Sequence, residues 1–160
     1  MERVNKIINH PLWIDAVSDI EHSEKDRKFC RHGREHVLDT ARIAYIFSLE
    51  ENLNISKEMI YAASLLHDIG RSEAYAGGLP HEEAGAALAR KILLECDFEH
   101  EEVDLIADAI LSHREKSALK NDDLSRILYM ADKKSRLCLF CNVRNECKWD
   151  SERMNMTLDI

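Results

Sequence analysis

Leu65-Leu66-His67-Asp68-Ile69-Gly70 sets an imidazole and a carboxylate side by side at the end of an apolar run. Met59, Ile60, Ala62, Ala63, Leu65 and Leu66 precede or enter it and predict a buried helix. A surface helix end is the ordinary home of a His-Asp pair, and the apolar run argues against that home here. Burying a carboxylate is costly without a compensating charge, and a metal ion beside the imidazole supplies one. Gly70 is expected to take the left-handed conformation that ends a helix and turns the chain. The pair then sits at a helix C-terminus, where the helix dipole favours a cation.

Helical spacing continues on both sides of this stretch. Upstream, Ile7, Ile8, Leu12, Trp13, Ile14, Val17 and Ile20 predict a short helix on either side of Pro11. The charged run Glu21 to Lys28 reads as an exposed linker or first turn. A long helix then follows Arg31-His32-Gly33-Arg34-Glu35-His36 and ends near Glu50, with Val37, Ala41, Ala44, Tyr45 and Ser48 inward. Ser56 is placed to cap the helix that ends at His67-Asp68. Downstream, residues 71–80 read as a loop with a Gly-Gly hinge. Helices are expected from His81 to about Cys96, from Glu101 through Val103, Ile106, Ala107 and Ile110 to His113, and from Asp122 through Leu124, Ile127, Leu128 and Ala131 to Asp132.

With no strand-like alternation, only 5 Gly and 2 Pro, and no repeat, the chain of 160 residues predicts one compact all-α domain over residues 1–160. It has no signal peptide and no apolar stretch long enough to span a bilayer, so a cytoplasmic location with reduced cysteines is expected. A net charge of −8 argues against general nucleic-acid binding. A small phosphorylated substrate stays compatible, because a metal reverses the local field in a site. No oligomeric state follows from the sequence.

His36, His67, Asp68, His113 and Asp132 fall at helix ends or on apolar faces, and His81 opens a helix after Pro80. One such histidine is more often a hydrogen-bonded core residue than a ligand. Six buried polar groups together need a shared reason. Mixed imidazole and carboxylate donors suit iron, manganese, cobalt, nickel or zinc. No H-E-x-x-H, Gly-rich phosphate loop or G-x-S-x-G is present, which excludes those signatures of proteolysis, nucleotide binding and acyl transfer.

The ordered set His36-Val37-Leu38-Asp39-Thr40-Ala41-Arg42, Leu66-His67-Asp68-Ile69-Gly70-Arg71 and Met130-Ala131-Asp132-Lys133 resembles the HD-domain superfamily of metal-dependent phosphohydrolases, over roughly residues 30–137. Pro80-His81-Glu82-Glu83-Ala84-Gly85-Ala86 and Ala109-Ile110-Leu111-Ser112-His113 look like the extra ligands of its two-metal members, closest to the diadenosine-tetraphosphate hydrolases. The resemblance implies one ion on His36, His67, Asp68 and Asp132, and a second on His81 and His113 with Asp68 as bridge. Arg114 follows His113 where the cyclic-dinucleotide branch has a second histidine, and the G-Y-P signature of that branch is missing. It implies hydrolysis of a nucleotide or related phosphoester by metal-activated water, with His67 and Asp68 catalytic. Arg71, Lys133 and Arg136 are candidates for holding phosphate, with His32 beside the pocket; a solvated surface role competes for the three cations, and helix capping for His32. A di-iron oxygenase of the same fold and a non-catalytic nucleotide- or iron-responsive sensor are the alternatives.

Cys138, Cys141 and Cys147 form C-x2-C-x5-C near the C-terminus, and three thiols in ten residues of a reduced protein point to a metal. Cys30 is the expected fourth ligand, because bringing His36 to Asp132 brings residue 30 near residue 138. Zinc and a four-iron cluster both accept four thiolates. The single C-x2-C knuckle resembles the iron–sulfur staple of certain DNA-repair nucleases and glycosylases, and leans towards the cluster. Residues 138–147 are then a structural staple. Cys96, ending an apolar helix, reads as a small buried hydrophobe.

Overall fold

A computed structural model describes residues 1–158. Among them, eight α-helices follow one another: α1 Glu2–Ile8, α2 Pro11–Ser23, α3 Arg34–Glu50, α4 Lys57–Leu66, α5 Arg71–Tyr75, α6 His81–Glu95, α7 His100–Ser112 and α8 Asp123–Lys134. No strand occurs among the described residues. No helix there is long and apolar enough to cross a membrane.

Local chemistry sets the helix starts. Pro11 opens α2 at its first position, and the His10 ring accepts from the Leu12 amide. The Ser56 hydroxyl accepts from Met59 N at 3.2 Å. Glu99 and Glu102 form a reciprocal capping box on α7. Asp122 accepts from Ser125 N at 3.0 Å to start α8. Each cap satisfies an amide that has no partner inside its own helix.

The apolar faces meet in one core. Ile60, Leu65 and Leu66 of α4 are buried together with Ile92 and Leu93 of α6, Ile106 and Ile110 of α7, and Ile127 and Leu128 of α8. The main packings are α6 on α7, α3 on α4 and on α8, and α7 on α8. Trp13 closes the core from α2, its indole N–H donating to Leu65 O at 3.1 Å. That bond occupies a carbonyl in the last turn of α4, where helices leave acceptors free. At the opposite side Arg3 ties α1 to α4 and α7 through Glu58 (2.8 Å) and Glu102, with its guanidinium 4.1 Å from the Phe98 ring centre.

Three local expectations are corrected. Gly70 is not left-handed: its φ and ψ are −71° and −5°, ordinary right-handed backbone. Its role is steric, because a β-carbon there would lie 2.1 Å from His81 O and 2.3 Å from Gly85 N. Residues 71–75 are the helical turn α5, and the only left-handed glycine among the described residues is Gly77 at φ +86°. The run Glu21 to Lys28 is largely exposed, but it is neither linker nor first turn throughout: α2 extends to Ser23, and Glu24 is 2% exposed. Charge along the sequence cannot show that one of these carboxylates has two buried donors.

Candidate metal centre

Helix ends deliver the site. His67 caps the C-terminus of α4 and His113 that of α7; His81 is the first residue of α6, His36 the third of α3, and Asp132 lies in the last turn of α8. Three of these ends, those of α4, α7 and α8, are C-terminal and present negative dipole poles, which favour a cation there, against the positive poles of α3 and α6. All six side chains are buried, His67 and Asp68 almost completely.

They fall into two triads. His36, His67 and Asp132 bring one donor atom each within 4.8 Å of one another, and Asp68, His81 and His113 do the same. Asp68 belongs to the second and also reaches towards the first. Its Oδ2 lies 3.5 Å from His36 Nε2 and 3.3 Å from His67 Nε2, while its Oδ1 lies 3.4 Å from His81 Nε2 and 3.7 Å from His113 Nε2. Asp132 Oδ1 stands 3.3 Å from His36 Nε2 and 3.8 Å from His67 Nε2.

The other ring nitrogens are already committed. His67 Nδ1 donates to Ser64 O at 2.7 Å and His113 Nδ1 to Ile110 O at 2.6 Å, each reaching back three residues to a carbonyl near its helix end. His81 Nδ1 lies 3.2 Å from Glu82 Oε2. The Ser135 hydroxyl donates to Asp132 O at 2.8 Å and so accepts from His36 Nδ1 at 3.1 Å. With hydrogen on Nδ1, each ring when neutral turns the lone pair of its Nε2 into the site, as histidine ligands do.

Lone pairs then face lone pairs. His36 and His67 oppose their Nε2 atoms at 3.3 Å, His81 and His113 at 3.4 Å. Donors around 2.0–2.1 Å from one tetrahedral ion stand about 3.4 Å apart. Both oxygens of Asp68 are buried without a well-aligned hydrogen bond, although Arg71 Nε lies only 2.7 Å from Oδ1. A buried carboxylate with Arg71 beside one oxygen and only imidazole nitrogens around the other is one that a bound cation would satisfy. The residues present therefore fit divalent ions.

The electrostatics agree. Burial lifts the Asp68 and Asp132 carboxyls, but the surrounding imidazoles outweigh it and hold both well below the usual carboxylate range. Burial lowers His67, and Asp68 with Asp132 more than reverse this, raising it to about 9. The centre wants positive charge, whether proton or metal.

The expected phosphate-holding cations surround the carboxylates. Arg71 meets Asp68 as above, Lys133 Nζ lies 2.5 Å from Asp132 Oδ2, and Arg136 Nη2 lies 3.1 Å from both Asp132 Oδ1 and His36 Nε2. The His32 ring packs edge-on against that of His36, with centres 5.6 Å apart. Sequence reasoning missed what orients it: Glu24 accepts from His32 Nδ1 and His32 N, both at 2.6 Å, and from the Tyr75 hydroxyl. Burial pushes Glu24 up, but His32 and Tyr75 bring it down to about 2; burial carries His32 to about 4 against the pull of Glu24. A neutral imidazole thus donates to a charged carboxylate. Only an eight-residue interval between Glu24 and His32 hints at the pair in the sequence.

Residues 33–137 match the model of the HD domain family. An uncharacterized protein of Clostridium beijerinckii is 41% identical over 158 residues, covering 99% of both chains. Ribonuclease Y of Aquifex aeolicus is 29% identical over 92 residues, 57% of this chain but 15% of that enzyme. No solved structure matches.

Proposed function

The chain belongs to the HD domain family, and from that membership we propose a metal-dependent phosphohydrolase that cleaves a nucleotide or related phosphoester. One observation carries the reading: Asp68 turns one buried oxygen towards His36 and His67 and the other towards His81 and His113. A carboxylate so divided is suited to bridge two ions, the first completed by Asp132. Ions held there supply a water acidified to near neutrality and Lewis-acid stabilisation of phosphoryl oxygens.

The chain's own residues do the rest. Ser64, Ile110, Glu82 and Ser135 fix the four imidazoles so that no reorientation is needed on loading. His67 and Asp68, fully enclosed, keep bulk water off the inner face of the site. Arg71 and Lys133 stand beside the carboxylates with part of each side chain exposed, and offer N–H donors to phosphate oxygens at the rim. His32, oriented by Glu24, stands behind His36.

The Aquifex relative is a ribonuclease, and so points to cleavage of RNA. A net charge of −8 on the present chain supports a small phosphoester over a polymer. The test is phosphate release by manganese-, cobalt- or iron-loaded protein from mononucleotides, dinucleoside polyphosphates and cyclic dinucleotides. Turnover of one class is expected; none with any of the three metals would overturn the reading.

A further inference from the structure

Four of the five cysteines stand around one cavity. Cys30, Cys138, Cys141 and Cys147 all line a space of about 740 Å³ beside α3, and none of them is disulfide-bonded. Cys96 is apart from them, buried at the C-terminal end of α6. Two segments far apart in sequence make the cavity, and polar bonds hold them together. Arg136 Nη1 donates to Arg31 O at 3.1 Å, and Lys28 Nζ lies 2.5 Å from Glu146 Oε2. Within the first segment Arg27 Nε donates to Cys30 O at 2.9 Å.

The second segment is folded for ligation. Tight helical turns at Cys138–Phe140 and Arg144–Glu146 set the spacing, with Cys141 N donating to Cys138 O at 3.1 Å and Cys147 N to Arg144 O at 3.0 Å. Trp149 N donates to Cys147 Sγ at 3.5 Å, the kind of amide-to-sulfur bond that stabilises a ligating thiolate. Arg136, Arg144 and Lys28 share the cavity wall with the carboxylates Glu21, Glu24, Glu35 and Asp39.

Spacing chooses between the metals that take four thiolates. Zinc bonds sulfur at about 2.3 Å in a tetrahedron, which sets its sulfurs about 3.8 Å apart. No three of these four sulfurs come within 4.8 Å of one another. A cubane carries its thiolates on the outer corners of a metal–sulfide cube, farther apart than one ion can hold them. We infer that Cys30, Cys138, Cys141 and Cys147 hold a four-iron, four-sulfide cluster in this cavity. The cluster fastens the C-terminal segment to the chain just ahead of α3, one guanidinium away from His36 and Asp132.

Acid-labile sulfide assayed on the full chain, purified without oxygen from iron-replete cells, tests this without reference to hydrolysis. About four sulfides per chain are expected, with a broad visible absorption that bleaches on reduction. Cys141→Ser and Cys30→Ser should each lose the sulfide, and Cys96→Ser should keep it. Absence of sulfide from the unmodified chain overturns the proposal, as does zinc in its place, or full sulfide retention in both ligand variants. The unmodified chain decides alone if a variant fails to fold.

Discussion

Gly70 is pressed against the backbone of His81, so closely that a β-carbon would come within 2.1 Å of the His81 carbonyl oxygen. This contact joins the turn after α4 to the first turn of α6, and it is what sets Asp68 beside His81. Neither backbone can yield without moving a ligand. Gly70→Ala is expected to cost about 3 kcal/mol or more, from overpacking with no flexible neighbour to give way. Gly85 faces the same contact, but its nearest neighbour would be Gly70 N at 3.3 Å, so Gly85→Ala should cost clearly less. Denaturant midpoints of the two variants check the order; equal losses would show that the close approach does not set the stability.

Ser135 decides which nitrogen of His36 faces the site, since its own hydrogen goes to Asp132 O. Ser135→Ala removes the acceptor and frees the ring to change tautomer. Manganese affinity should fall roughly 10–100-fold with little change in fold, and Ser135→Thr should restore most of it. Titration calorimetry on chelator-stripped protein measures both. An unaltered affinity in the alanine variant would show that the ring is oriented by something else.

The sequence exposed the candidate ligands better than their supports. His36, His67 and Asp132 could be grouped because each ends or begins an apolar helical face, and the fold follows from burying those faces together. Gly70 was legible as special but for the wrong reason: a left-handed cap and a close backbone approach both demand glycine, and only the position of α6 separates them. Glu24 was hidden, because a charged run reads as surface until Tyr75 and His32 are brought to it from elsewhere. Support of this kind is tertiary, and periodicity carries no trace of it.

Proton uptake should give the chelator-stripped protein a stability maximum near pH 6.5. Burial lowers His67, but Asp68 and Asp132 raise it to about 9, so its contribution is complete below 6.5 and is lost as pH rises through about 9. His32 and His81 are lowered to about 4, chiefly by burial, so theirs is present above 6.5 and is lost as pH falls through about 4. Asp68 and Asp132, held low, and Glu24, at about 2, add to the loss on the acid side. Thermal midpoints from pH 4 to 9.5 should therefore rise and then fall. A midpoint still climbing between pH 6.5 and 9 would contradict the balance at His67.

The divided carboxylate of Asp68 makes the ion count separable by mutation. His113→Ala strips the Oδ1 side and leaves His36, His67 and Asp132 together, so manganese-loaded protein should retain one of two ions. His36→Ala should lose the other ion and keep the one on His81 and His113. Asp68→Ala should lose both and lower phosphate release on the order of 10³-fold, with the helical far-UV signal intact, because it removes the shared ligand without touching the core. Elemental analysis after desalting reads all three. A single ion in the unmodified chain, unchanged in His113→Ala, would mean that the second triad holds none, and that His81 and His113 serve the fold through their carbonyl and carboxylate partners alone.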